Sequence, residues 1–175
     1  MKTLVLIRHA KSSWKFPELK DFDRPLNERG LNDAPLMGNV LKHLEMIPDR
    51  IISSPAVRAI ATAEIIAQAL GCSEEQIIHE PKLYLVSKSK IKKVINKADD
   101  TFKTLFIVSH NPGLTELAND LAGTDIDNIP TSGAFGIQFE TGSWAEIEKG
   151  KGKNIFFEYP KKHKKQIEKS ESQVL

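Results

Sequence analysis

Thr3-Leu-Val-Leu-Ile-Arg-His-Ala-Lys-Ser-Ser-Trp14 decides how the rest of the 175-residue chain is read. Five residues, four of them strongly apolar, run straight into Arg8-His9 with no polar alternation. Such a run fits a strand buried on both faces, at the centre of a parallel sheet. A strand of that kind has no use for a guanidinium and an imidazole unless both emerge where it ends. In open α/β sheets the crevice beyond the carboxyl ends of the strands is where ligands sit. The strand therefore delivers Arg8 and His9 to that crevice.

Working outward, the loop holding Pro17, Asp21, Asp23 and Pro25 is longer than an ordinary strand-to-helix connection, as functional loops often are. Asn27 can cap a helix with apolar residues at Leu31, Ala34, Leu36, Met37, Val40, Leu41 and Leu44, ended by Pro48. Arg50–Ser53 reads as a second strand. Ser54-Pro55 then reads as a helix start, serine as the cap and proline at the first position, with Arg58 in the first turn and Gly71 closing the helix. Gln76–Glu80 is a third strand, and a polar helix follows from about Lys88 to Ala98. Thr104–Ser109 repeats the opening pattern: a wholly apolar strand running into His110-Asn-Pro-Gly113, then a helix over Leu114–Leu121. Phe135–Phe139, Trp144–Glu148 and Asn154–Glu158 alternate between glycine turns and read as antiparallel edge strands. From Pro160 onward the chain is polar and lysine-rich, which suggests a loose tail. The alternation of strands and helices predicts a three-layer α/β/α domain, its central sheet mainly parallel with antiparallel edge strands.

Composition narrows the function classes. Twenty-five basic residues against 23 acidic ones give a formal charge of +2, which argues against a general nucleic-acid or membrane binder. The basic excess gathers in Lys161-Lys-His-Lys-Lys165. The apolar run after Lys2 ends at Ile7, too short for a secretory signal, and no stretch reaches membrane-spanning length. Cys72 is the single cysteine, so no intrachain disulfide forms, and a reducing cytoplasmic compartment is expected.

Three strand ends thus point at one crevice, carrying Arg8 with His9, Arg58, and His110. Two guanidiniums and two imidazoles without metal-ligand spacing describe a pocket for a tetrahedral dianion. The start of the Arg58 helix adds a positive dipole end. In such a pocket a neutral histidine can attack phosphorus, giving a phosphohistidine that water hydrolyses, while the cations stabilise the equatorial oxygens.

Arg8-His9-Ala, Ser-Pro-x-x-Arg58 and Ser-His110-Asn together resemble the histidine phosphatase superfamily and its phosphoglycerate mutase-like fold. The Arg-His-Ala-Lys-Ser-Ser-Trp opening, Asp23-Arg-Pro-Leu and His110-Asn-Pro-Gly are most similar to its SixA-type phosphohistidine phosphatases. The resemblance covers roughly the first 140 residues, and these motifs are far more specific jointly than singly. It implies a histidine phosphatase domain over residues 1–160, followed by a lysine-rich tail over 161–175. It also implies that His9 is the nucleophile, that Arg8, Arg58 and His110 complete the phosphate pocket, and that no metal or cofactor is used. Lys15, Asn111 and Asp23, which adjoin these motifs, are the candidate substrate contacts. The expected partner is a phosphorylated protein carrying phosphohistidine, or a small phosphorylated molecule, rather than nucleic acid or membrane.

Two departures bear on the substrate. Many members carry an asparagine six residues after the nucleophile, where this chain has Lys15. Members that hydrolyse alkyl phosphates usually carry an acid two residues after a leucine beyond the third strand; the matching stretch is Leu83-Tyr84-Leu85, without a carboxylate. An alkoxide leaving group needs such an acid, whereas a nitrogen can leave already protonated. The missing acid favours phosphoramidates unless Glu80, Asp21 or Asp23 reaches in. The alternatives are a phosphoprotein-binding pseudoenzyme, a small-molecule phosphomonoesterase of the same superfamily, and a mutase, the last weakened by the short chain and by Leu85.

Other residues carry plainer readings. His43, His79 and His163 are structural or surface histidines. Asp21 and Asp23 suit turns better than catalysis. Lys11 and Lys15 face solvent as readily as substrate. Gly150-Lys-Gly-Lys153 lacks the Walker spacing and reads as a hairpin turn. Tyr84 and the tryptophans are packing residues.

Overall fold

The structure, a computed structural model, describes residues 1–174. In chain order the elements are β1 (Lys2–Arg8), α1 (Glu28–His43), β2 (Arg50–Ser53), α2 (Val57–Leu70), β3 (Ile77–His79), α3 (Lys88–Asn96), β4 (Thr104–Ser109), α4 (Gly113–Ala122), β5 (Ala134–Phe139), β6 (Lys153–Glu158) and α5 (Pro160–Val174). Six strands make one sheet in the order β3-β2-β4-β1-β5-β6. The first four are parallel, while β5 runs antiparallel to β1 and β6 antiparallel to β5. Among the described residues no helix is long and apolar enough to cross a membrane.

The apolar run of β1 explains the layers. Successive strand residues face opposite sides, and Leu4, Val5, Leu6 and Ile7 are all fully buried. Leu4 and Leu6 join one core with Leu105, Ile107, Phe135, Ile91 of α3 and Leu117 of α4. Val5 and Ile7 join another with Phe106, Val108, Met37 of α1 and Ile66 of α2. Two helix layers therefore sandwich the sheet, and β1 lies between β4 and β5 at the change from parallel to antiparallel pairing.

Four expectations are corrected. Helix α2 starts at Val57 with Ala56 before it and no side-chain cap, so Ser54 does not cap it. Helix α1 ends at His43, before Pro48, where the chain turns through Glu45 with φ of 57°. Trp144–Glu148 is not a strand: Trp144–Glu146 forms a 3-10 turn, because the fully buried Trp144 ring donates its indole N–H to the Phe102 carbonyl (2.9 Å). Nor is the lysine-rich segment a loose tail. It is helix α5, tied at its start by His163 and Lys162 to Glu158 (2.6 and 3.2 Å) and by Lys164 to the buried carboxylate of Asp33 on α1. Leu175, the last residue of the expected tail, lies outside the described residues.

The loop after β1 is pressed against the start of α1. Asn27 caps that helix by accepting from the Gly30 N–H (2.9 Å), and its own N–H donates to the Lys11 carbonyl (3.0 Å). A Cβ on Gly30 would stand 2.2 Å from that carbonyl oxygen. Alanine gains roughly 1 kcal/mol of helix propensity over glycine, but overpacking against fixed backbone costs about 1–3 kcal/mol. Gly30→Ala is therefore expected to lower unfolding stability in urea. An unchanged midpoint would show that the Lys11 turn can yield.

Candidate active site

His9 sits one residue beyond β1 and is nearly buried. Its ring Nδ1 lies 2.8 Å from the Ala10 carbonyl oxygen. A carbonyl can only accept, so Nδ1 carries the proton and Nε2 keeps a free lone pair. The turn is fixed from below: Ala10 N–H donates to the Thr62 hydroxyl (2.9 Å), which donates to the Arg58 carbonyl (2.7 Å). The proposed strand end and the Arg58 helix are thus joined through one threonine.

His110, one residue beyond β4, has its ring centroid 5.1 Å from that of His9. Arg58 Nη2 faces His110 Nδ1 at 3.4 Å. Since a guanidinium only donates, Nδ1 accepts, and Nε2–H donates to the Ser54 hydroxyl (2.7 Å). This is where Ser54 goes instead of the helix cap. Burial, with the neighbouring guanidiniums, pushes both histidines down from 6.5, His9 to about 4 and His110, beside His9 as well, to about 3. Both rings are neutral at physiological pH, as a nucleophile requires.

Arg58 is buried and donates twice to Asp21, from Nη1 to the backbone oxygen (2.7 Å) and from Nη2 to Oδ2 (3.0 Å). The same carboxylate accepts from the Tyr84 hydroxyl (2.6 Å) and from Arg24 Nη1 (3.2 Å). Partial burial would raise the Asp21 carboxyl, but the hydrogen bonds from Tyr84 and Arg58 and the Arg58 charge outweigh it and hold it down at about 2. Tyr84 is more than packing, since its ring also meets His110 edge-on at 5.5 Å. Asp21 likewise does more than form a loop.

Arg8 donates from Nη1 to Asn128 Oδ1 and the Ile129 carbonyl (3.3 and 3.2 Å), while its buried Nε–H has no partner among the described residues. Asn111 spends its amide on the same two acceptors (2.7 and 3.0 Å) and its oxygen on Thr115, so it braces the Arg8 shelf. The recess at the strand ends has a volume of about 230 Å³ and is lined by Arg8, His9, Arg58, His110 and Asn111 among others. Lys15 and Asp23 are exposed on the neighbouring loop and do not line it.

The lining also includes Arg24, which sequence reasoning passed over. It is buried and donates to the Ser13 carbonyl (3.0 Å) and the Ser12 hydroxyl (2.6 Å), with Trp14 stacked on its guanidinium at 3.3 Å. Its signal was present in Asp23-Arg-Pro-Leu, read only as part of a motif. Among the described residues no cluster of three or more His, Cys, Asp or Glu side chains is arranged to hold a metal ion. The arrangement can bind a compact anion among guanidiniums and offer it one neutral imidazole nitrogen.

Comparison with known proteins points to one superfamily. The family model for the histidine phosphatase superfamily (branch 1) matches residues 4–84. An uncharacterised protein of Mycobacterium tuberculosis is 32% identical over 166 residues, covering 89% of this chain and all of that one. A candidate phosphohistidine phosphatase SixA from Agrobacterium tumefaciens superposes with a TM-score of 0.78 at 25% identity, covering 91% of this chain and 98% of its own. A 2,3-bisphosphoglycerate-dependent phosphoglycerate mutase of Chlamydia felis is 40% identical over 65 residues, which is 36% of this chain and 28% of the mutase.

The depressed histidines make stability depend on pH. Below about 6.5 the unfolded chain takes up protons that the folded His9 and His110 refuse until about 4 and about 3. Stability should therefore fall as pH drops through that window. A further loss should follow below 3.8 as Asp21, held at about 2, is protonated. Urea midpoints measured from pH 7 to 4.5 check the first phase, and His110→Gln should flatten part of it. A flat wild-type profile would contradict neutral buried imidazoles.

Proposed function

The chain belongs to the histidine phosphatase superfamily, and on that premise we propose that it hydrolyses phosphohistidine, with His9 as the nucleophile and no metal. The observation that carries the proposal is the His9 tautomer. Nδ1–H is committed to the Ala10 carbonyl, so Nε2 is the nitrogen left free on a ring that lines the recess together with Arg8, Arg24 and Arg58.

In the first step His9 Nε2 forms a bond to phosphorus as the bond from phosphorus to the substrate imidazole nitrogen breaks. That imidazole departs neutral when its other nitrogen already carries a proton. In the second step water attacks phosphorus, the N–P bond to His9 breaks, and inorganic phosphate forms as the water proton passes to phosphate or solvent. Arg8, Arg24 and Arg58 oppose the charge on the equatorial oxygens throughout.

The choice of phosphohistidine over alkyl phosphates rests on Leu85, which lines the recess where alkyl phosphatases of this superfamily usually carry an acid, and Asp21 supports it. Asp21 is the carboxylate tied to the pocket guanidiniums, and at about 2 it is ionised and has no proton to give an alkoxide. The recess is small against ordinary ligand pockets of about 300–1,000 Å³. It suits one phosphoryl group presented by something larger. Exposed apolar side chains at its mouth, Trp14 at 75% and Leu85 at 55%, suit a protein surface.

His9→Ala is expected to keep the fold and abolish turnover, and the wild-type protein quenched during turnover of a phosphohistidine peptide should carry an acid-labile phosphate. A fully active His9→Ala would remove the nucleophile. Turnover of alkyl phosphates as fast as the phosphohistidine peptide would overturn the substrate class. Asp21→Asn should leave phosphohistidine turnover within about threefold, whereas loss of a general acid costs about 100-fold or more.

A further inference from the structure

A second concavity, about 670 Å³, lies beside the recess at the β2–β3 edge of the sheet. Ile52 and Ile78 pair across these strands and share its floor with Val86, Val94 and Phe102. On this face α4 packs over β1 and β5 and α3 packs beside α4. The layer thins toward the edge, leaving Ile78 41% exposed. Sheets of this kind ordinarily bury such a face under a helix.

The rim is predominantly basic. Arg50, Lys82, Lys90, Lys93 and Lys97 line it against two carboxylates, Glu80 and Asp99, a larger excess than the +2 of the whole chain. The concavity and the recess meet consecutive residues of one segment: Leu85 lines the recess and Val86 lines the concavity. Tyr84, just before them, is hydrogen-bonded to Asp21 and packed on His110.

We propose that this groove docks an acidic, amphipathic helix of the phosphorylated protein whose phosphohistidine enters the recess. The proposal rests on the phosphohistidine reading above for what is docked, though not for whether docking occurs. A helix with apolar residues on one side completes the missing part of the layer over Ile78, while its glutamates and aspartates meet the lysine rim. Nucleic acid would also meet the cations, but the floor offers no free aromatic for base stacking, since Arg50 already covers Phe102 at 4.9 Å. The apolar floor favours polypeptide. Docking outside a recess that takes in only the phosphoryl group and its ring would set the affinity for one phosphoprotein over another.

The test uses the full chain and two fluorescein-labelled synthetic helices, one with leucine and glutamate faces and one with leucine and lysine faces. Fluorescence anisotropy should show binding of the glutamate helix only, and Lys93→Glu/Lys97→Glu should weaken it at least about tenfold. Binding of both helices, of neither, or of the glutamate helix undiminished by charge reversal would overturn the proposal. A second arm compares a short phosphohistidine peptide with the same peptide fused to the glutamate helix. The fusion should lower KM without raising kcat, and the double variant should lose that advantage while turning over the short peptide normally. Wild-type protein that binds the glutamate helix but turns over neither substrate would defeat the phosphohistidine reading and leave the groove standing.

Discussion

The carboxylate of Asp21 takes hydrogen bonds from Arg58, Arg24 and Tyr84, and its backbone oxygen takes another from Arg58. Without it, buried guanidiniums would meet at the strand ends with no counter-charge, a costly arrangement in a poorly solvated recess. The contact is also provisional in chemical terms. An arriving phosphoryl dianion offers Arg58 more negative charge and more acceptor oxygens than Asp21 does. The loop from Trp14 to Pro25 thus holds the site together when empty and competes with substrate for the same donors.

The precision of the His9 nitrogen comes from elsewhere. Its strand is buried on both faces and paired on both sides, so the backbone before it has few ways to move. Beyond it, Thr62 clamps the Ala10 N–H to α2, and His9 N–H donates to the Ser109 carbonyl at the end of β4 (3.2 Å). The Ala10 carbonyl then selects the tautomer. Packing sets position, and one backbone acceptor sets reactivity. For the proposed nucleophile neither would suffice alone, because a well-placed ring protonated on Nε2 could not attack phosphorus.

How much of this could be read beforehand followed the range of the interaction. Unbroken apolar runs in β1 and β4 are local signals, and they ended where expected, with His9 and His110 next in line. Parallel pairing of those strands then brought the two imidazoles together without further information. Ser54 was misread because the local rule for a serine before proline is helix capping, whereas a tertiary acceptor-donor pair with His110 won. Trp144 was misread for the same reason: alternation suggested a strand, but burial of one large ring against Lys2 and Phe102 decided the backbone. Arg24 escaped notice because its purpose depends on Asp21, Trp14 and Ser12 folding around it. The helix α5 depends on a buried aspartate of α1, more than a hundred residues earlier.

The size of the recess constrains what can distinguish one substrate from another. About 230 Å³ bounded by Arg8, His9, Arg24, Arg58 and His110 holds a phosphoryl group and the ring it leaves, and not the rest of a protein partner. On the phosphohistidine reading proposed above, every substrate presents the same PO3 unit and the same departing ring, so these residues would see nearly identical groups whatever protein bears them. Discrimination must therefore come from contacts outside the recess, where partners differ in shape and charge. The segment from Leu83 to Val86 is the part of the chain that touches both regions. Leu85 sits there with a φ of 48°, a backbone conformation costly for a side chain of its size. A conformation of that kind persists only where its neighbours impose it, and here they are the buried Leu83, which anchors to the core, and Val86 at the groove floor.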